Sequence, residues 1–262
     1  MFSDLSGQLV FLGTGTSVGV PVVGCECDTC TNVHPANQRT RCSLVLGLPQ
    51  GNLLIDTTPD LRMQLLRERI GRIQATLYTH DHADHVFGLD DLRLFPHYLG
   101  GPMPVYCEDQ VEVRIRKSFD YAFVADARGF GGGVPQIAFH RITTEPFELL
   151  GQEIIPIRLR HGRGKVLGFR FGAIAYCTDT NDIPPESWPL LRGLDVLILD
   201  ALRHRRHGTH FSLSEAIEAA QRIRAKRTFF THMSHELEHE ATNAELPSGM
   251  QLAYDGLKLP LS

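Results

Sequence analysis

The stretch that most constrains this 262-residue chain is Ala75-Thr76-Leu77-Tyr78-Thr79-His80-Asp81-His82-Ala83-Asp84-His85, where an apolar run ends in three histidines and two aspartates within six positions. An apolar run that finishes in polar ligands reads as a buried strand delivering them at a sheet edge, where loops shape a pocket. Imidazole nitrogen and carboxylate oxygen together suit zinc, manganese or iron. His80 and His82 are two apart, so in an extended segment they point the same way and can grip one ion. Asp84 and His85 come after the chain has begun to turn, which brings them to a second ion beside the first. A solvated polar loop gives no reason for H-x-H-x-D-H spacing, so the stretch is read as a metal site.

This motif resembles the signature of the metallo-β-lactamase superfamily, an α/β (α+β) fold in which a four-layer αββα sandwich carries the metals at one edge of its two sheets. Near the start, a short strand over Gln8–Leu12 runs into Gly13-Thr14-Gly15-Thr16-Ser17-Val18-Gly19. That loop is not a dinucleotide-binding turn, because its spacing is G-x-G-x-x-x-G and a proline and cysteines follow where the phosphate-binding helix should begin. Its glycines are read as permitting close backbone approach near the site. With Gly19-Val20-Pro21 it resembles the opening of the tRNase Z and PhnP-like branch of the superfamily.

Composition then limits the classes. No sharp shift marks a linker, so one domain is expected over 1–262. With 42% hydrophobic and 21% charged residues, no apolar run approaches the roughly 20 residues of a membrane helix, and no membrane partner is expected. Met1-Phe2-Ser3-Asp4 has no basic segment followed by an apolar core, which gives a cytoplasmic expectation. The formal net charge of −4 argues against a large polyanion such as tRNA, although a local basic patch is compatible with it. In a reducing compartment the crowded Cys25, Cys27 and Cys30 suggest a structural zinc loop near 24–42, while Cys42, Cys107 and Cys177 suggest packing. A closed tetrahedral site needs a fourth ligand, and Cys42, His34 and a distant histidine all compete for it.

Periodicity and breakers predict strands over Cys42–Leu48 and Asn52–Thr57 around a Pro49-Gln50-Gly51 turn, then Pro104–Cys107, Gln136–Ile142, Phe147–Leu150, Glu153–Leu159, Gly168–Phe171, Ala173–Thr178, Asp195–Leu199 and Thr228–Thr231. Helices are expected from Thr58 to Gly71 with Leu61, Leu65, Leu66 and Ile70 on one side, over Val86–Leu94 ending before Pro96, over Gln110–Phe123, and from Ser212. The glycine-rich Asp126–Gly133 is read as a loop near the pocket.

The resemblance implies roles for strand-end residues that are unremarkable alone. It places a metal ligand at His161, a bridging carboxylate at Asp179, a further ligand at His232, and a supporting carboxylate at Asp56. One ion would be held by His80, His82 and His161 and the other by Asp84, His85 and His232, with Asp179 between them. His210 resembles the histidine that assists leaving-group departure in the phosphodiesterase branch. PhnP-like enzymes place a histidine at the position of His235 with the three cysteines, closing a structural zinc site. His34, His97, His140, His204, His207 and His239 have no motif support and are read as structural or surface.

The implied function is hydrolysis of small or cyclic phosphodiesters by a hydroxide bridging two divalent ions, manganese or zinc, with His210 and the ligand Asp84 in the catalytic set. Alternatives are a tRNA 3′-processing endonuclease, a thioester or lactone hydrolase, and a zinc-stabilised binding module without catalysis. Relatives' habits add a homodimer to the expectations.

Overall fold

Strand β1, Gln8–Gly13, explains the layering: Leu9 and Phe11 are fully buried in one apolar cluster, Val10 and Leu12 in another on the opposite face. A strand buried on both faces requires a sheet covered on both faces. The computed structural model describes residues 2–124 and 133–261. In chain order the next strands are β2 (Ser43–Leu48), β3 (Gly51–Ile55), β4 (Ala75–Leu77), β5 (Met103–Cys107), β6 (Ile137–Arg141) and β7 (Phe147–Leu149). They are followed by β8 (Gln152–His161), β9 (Gly164–Phe171), β10 (Ile174–Cys177), β11 (Val196–Asp200), β12 (Arg227–Thr231), β13 (Met250–Leu252) and β14 (Lys258–Pro260). Two sheets result, ordered β14-β1-β2-β3-β4-β5-β6 and β13-β12-β11-β10-β9-β8-β7.

The helices are α1 (Asp28–Thr31), α2 (Leu61–Arg67), α3 (Ala83–Val86), α4 (Phe95–Leu99), α5 (Asp109–Ser118), α6 (Leu213–Ile223) and α7 (His239–Glu245). The inner faces of the sheets meet through Phe11, Leu44, Leu46, Ile55, Phe169, Tyr176, Ile198 and Phe229. Leu61, Leu65, Val111 and Ile115 of α2 and α5 cover the outer face of the first sheet. Leu213, Ala216, Ala220 and Ile223 of α6 cover that of the second. The architecture is therefore the expected four-layer αββα sandwich. Helix α6 begins where expected, with a reciprocal cap in which Ser212 Oγ accepts from the Glu215 amide and the Glu215 carboxylate accepts from the Ser212 amide. No helix among the described residues is long and apolar enough to cross a membrane.

Three helix expectations are corrected. Thr58 does not cap a helix; its Oγ1 accepts from the Asp60 amide in a turn, α2 starts at Leu61 and stops at Arg67, and Leu66 is 57% exposed. The Val86–Leu94 segment is not one helix. It breaks into α3, a 3₁₀ turn over Leu89–Leu94, and α4 with Pro96 near its start. The reason is at Gly88, whose backbone lies so close to Thr58 that a Cβ would stand 2.0 Å from the Thr58 carbonyl oxygen. The Gln110–Phe123 helix also ends early, at Ser118, and Asp126–Gly133 lies, apart from Gly133, outside the described residues.

Pairing is parallel along β3-β4-β5-β6 and along β10-β11-β12-β13. Open parallel sheets collect ligands at the carboxyl ends of their strands. Here those ends carry Asp56 after β3, His80 after β4, Asp179 after β10, Asp200 closing β11 and His232 after β12.

Candidate metal centre

Three of these positions have unusual backbones. Asp56, Asp179 and His232 take φ values of 63°, 53° and 59°, in the left-handed region that non-glycine residues seldom occupy. Such conformations cost free energy and persist where the surroundings over-determine them, so each turns its side chain off the strand axis into the site.

The polar groups collect in two neighbouring sets. Ligand atoms of His80, His82 and His161 lie within 4.8 Å of one another, and so do those of Asp84, His85, Asp179 and His232. Asp179 faces both sets: Oδ2 is 3.2 Å from His85 Nε2, while Oδ1 is 3.2 Å from His232 Nε2 and 3.9 Å from His80 Nε2. Asp84 Oδ2 stands 3.4 Å from His85 Nε2 and 3.6 Å from His232 Nε2. Nitrogen and oxygen ligands about 2.0–2.2 Å from one tetrahedral ion stand about 3.4 Å apart. Despite these short approaches, the Nε2 atoms of His80, His85 and His232 are buried without a hydrogen-bond partner. Atoms that crowd without pairing converge on a common point, so the residues fit divalent metal.

The far nitrogens of His80, His85 and His161 are fixed, whereas Nδ1 of His232 has no hydrogen-bond partner. His85 Nδ1 donates to Asp56 Oδ2 at 2.8 Å, and the same carboxylate accepts from the Thr79 amide and hydroxyl at 2.9 and 2.8 Å. With its proton given to Asp56, the Thr79 hydroxyl accepts from His80 Nδ1 at 2.9 Å. His161 Nδ1 donates to the Thr209 carbonyl at 2.7 Å. Each bond places the ring proton on Nδ1 and leaves the Nε2 lone pair for the site.

Electrostatics favour cations here. Burial, reinforced by His85, pushes His80 well below the usual imidazole range, which keeps it neutral. Burial also opposes charge on His85 and His232, but the surrounding carboxylates, Asp179 foremost, prevail; they hold His85 well above its usual range and His232 up to about 9. Reciprocally, Asp84 and Asp179 stay well below the carboxylate range although burial works against them, because His85 and His232 face them.

His210 sits beside the two sets. It is 9% exposed, its ring lies 4.6 Å from those of both His161 and His232, and its Nδ1 donates to Asp200 Oδ2 at 2.7 Å. Asp200 also accepts from the Thr180 amide at 2.8 Å, next to Asp179. Sequence reasoning did not single out Asp200 or Thr79. A signal existed for Asp200: Val196-Leu-Ile-Leu-Asp ends an apolar strand in a carboxylate, as Leu53-Leu-Ile-Asp does at Asp56.

The cysteines form a separate centre. His235 Nδ1 lies 3.2, 3.3 and 3.5 Å from Sγ of Cys25, Cys27 and Cys30. Zinc bonded to sulfur at about 2.3 Å and nitrogen at about 2.0–2.1 Å sets them about 3.5 Å apart, so this quartet also fits. The competitors are elsewhere: Cys42 Sγ contacts Thr231 Oγ1 at 3.1 Å and Tyr176 OH at 3.3 Å, and His34 accepts from the Ala36 amide. Buried Arg39 organises this region by donating to the carbonyls of Ala36, Ser234 and Leu237.

The chain is similar to several known proteins. A solved structure of a new diphosphatase from the PhnP family superposes with a TM-score of 0.88 at 45% identity, covering 96% of each chain. An octanoyltransferase of Porphyromonas gingivalis is 35% identical over 96% of this chain, but the chain spans only 51% of that protein's length. A ribonuclease Z of Pyrobaculum calidifontis is 24% identical over 91% of each. Residues 51–233, which run from β3 through the turn after His232, match the Beta-lactamase superfamily domain, and with the PhnP-family likeness this shows that the chain belongs to that superfamily, in its PhnP-like branch, as a metal-dependent hydrolase.

Proposed function

We propose that this chain hydrolyses small phosphodiesters, holding one divalent ion with His80, His82 and His161, a second with Asp84, His85 and His232, and both with Asp179. A structural zinc on Cys25, Cys27, Cys30 and His235 completes the assignment. The observation that carries the reading is the His210–Asp200 pair beside the seven ligands, at 2.7 Å. When bound, two adjacent divalent cations acidify water and neutralise phosphate oxygens as charge builds. The residues supply the rest. Asp56, through Thr79 and directly, orients His80 and His85. Asp200 keeps the Nδ1 proton of His210 engaged, so that Nε2 is the edge that delivers a proton to the departing oxygen. A thioester leaving as a thiolate has little need of that proton, which sets a thioester substrate below a phosphodiester.

A second reading, cleavage of a small diphosphate, is favoured by the PhnP-family diphosphatase at 45% identity. A phosphate leaving group is weakly basic, so this chemistry would depend less on His210. Protein loaded with zinc or manganese should therefore be assayed on bis(p-nitrophenyl) phosphate, a cyclic ribose phosphodiester, a sugar diphosphate, a thioester and a tRNA precursor. Turnover of the diesters supports the proposal; turnover confined to the thioester or the tRNA precursor overturns it.

A further inference from the structure

The run Arg203-His204-Arg205-Arg206-His207-Gly208-Thr209 reads in sequence as a solvated loop, and His207 as a surface histidine. The fold gives one of its members a defined place. The loop is pinned at its base by the Leu202 amide on the Phe211 carbonyl and the Leu213 amide on the Arg203 carbonyl, at 2.9 and 2.8 Å. Arg203 spans it, donating through Nε and Nη2 to the carbonyls of Arg205 and Arg206 at 3.3 and 3.2 Å. Asn181, two residues beyond Asp179, donates to the Gly208 carbonyl at 3.3 Å. Arg205 and Arg206 are turned away onto Glu236 and Glu215, each at 2.8 Å.

His207 remains, its ring 5.4 Å from that of His210 and tilted 40° to it. His210 is buried and His207 is exposed, so His207 stands on the solvent side of the pair. Its orientation is specified. The Thr209 amide donates to His207 Nδ1 at 3.3 Å, and Thr209 Oγ1 lies 3.1 Å from the same atom. A ring nitrogen that accepts a backbone N–H carries no proton, so the neutral ring bears its proton on Nε2, at the edge facing away from the loop backbone. The same Thr209 accepts from His161 Nδ1 through its carbonyl, so one residue sets the rings of His161 and His207 together.

We propose that His207 is a substrate-positioning residue that donates Nε2–H to an acceptor oxygen on the leaving group, selecting leaving groups that carry oxygen beside the departing atom, as ribose and phosphoryl groups do. The inference rests on the reading that the leaving group departs on the His210 side. A single neutral donor at that place discriminates by the hydrogen bond it makes, and losing a bond to a charged or polar oxygen costs about 10- to 100-fold in affinity.

The test uses metal-loaded His207→Ala and His207→Gln, the glutamine retaining an N–H donor. His207→Ala should raise KM for a cyclic ribose phosphodiester by about 10- to 100-fold with a far smaller change in kcat, lose at least tenfold less on bis(p-nitrophenyl) phosphate, and be largely rescued by His207→Gln. Calorimetry with ribose monophosphate, the product, reads binding without turnover and should show the same weakening and rescue. Equal losses on both substrates, no rescue by glutamine, or an unaltered affinity for the monophosphate would overturn the proposal. Failure of the underlying reading has a separate signature: His210→Ala would then fall equally on aryl and ribose diesters, while the calorimetric comparison still decides whether His207 binds the product.

Discussion

Asp200 holds His210 and stands near His232: its Oδ2 accepts the Nδ1 proton of His210 at 2.7 Å, while Oδ1 lies 4.0 Å from Nδ1 of His232 without a hydrogen bond between them. The carboxylate closes β11, between β10 and β12, and therefore lies behind both Asp179 and His232. It stands at the back of a stacked pair, the rings of His210 and His232 lying 4.6 Å apart.

If Asp200 acts by orienting His210, then Asp200→Ala and His210→Ala should be nearly interchangeable. Each should reduce turnover of an alkyl or ribose diester by about 10²–10⁴-fold and spare an activated aryl diester by comparison, because a phenolate leaves without much protonation. The double variant should be little worse than either single one, since residues acting as a unit are not additive. Additive losses on the alkyl substrate would show that the two side chains work independently.

The two metal centres should separate under chelation. Elemental analysis after reconstitution is expected to give three ions per chain, and mild chelation should abolish activity before the melting temperature falls, because closed thiolate sites stabilise a fold while open catalytic sites exchange. His232→Ala should stop turnover with the cysteine-bound zinc retained, and His235→Ala should lower the melting temperature and release that zinc. The reverse pattern would reassign the ligands.

Asp56→Asn should weaken the catalytic metals without touching the cysteine site. The carboxylate orients His85 directly and His80 through Thr79, and loss of such supporting groups typically costs about 10–100-fold in metal affinity. Competition with a chromogenic chelator measures this; unaltered affinity would mean that the protein holds the imidazoles by packing alone.

In protein stripped of zinc, the cysteines should differ in reactivity. The Cys30 backbone amide holds the exposed Cys27 thiol down to about 6, whereas burial pushes Cys30 up to about 11. Thiolate is the form that reacts, so at pH 7 iodoacetamide should modify Cys27 well ahead of Cys30, with a rate that climbs as pH rises through about 6. Peptide mapping by mass spectrometry reads the order, and added zinc should protect both.

The sequence alone determined the contiguous part of the site. His80, His82, Asp84 and His85 fall within one short loop, so their spacing carries the chemistry before any fold is known, and the strand that feeds them is legible because a doubly buried strand has to be apolar. The cysteine spacing was legible for the same reason. The tertiary structure decided what depends on elements far apart in the chain. His235, and not His34 or Cys42, meets the cysteines because Met233 and Gly15 pair across the sheet end and Arg39 ties Ala36 to Ser234. Asp200 gained its role only when parallel pairing set β11 between the strands that present Asp179 and His232, and the helix expected over Val86–Leu94 broke where Gly88 meets Thr58. Local spacing is fixed by covalent geometry and can be read along the chain, whereas these choices follow from which strand ends the sheets bring within a few ångströms of each other.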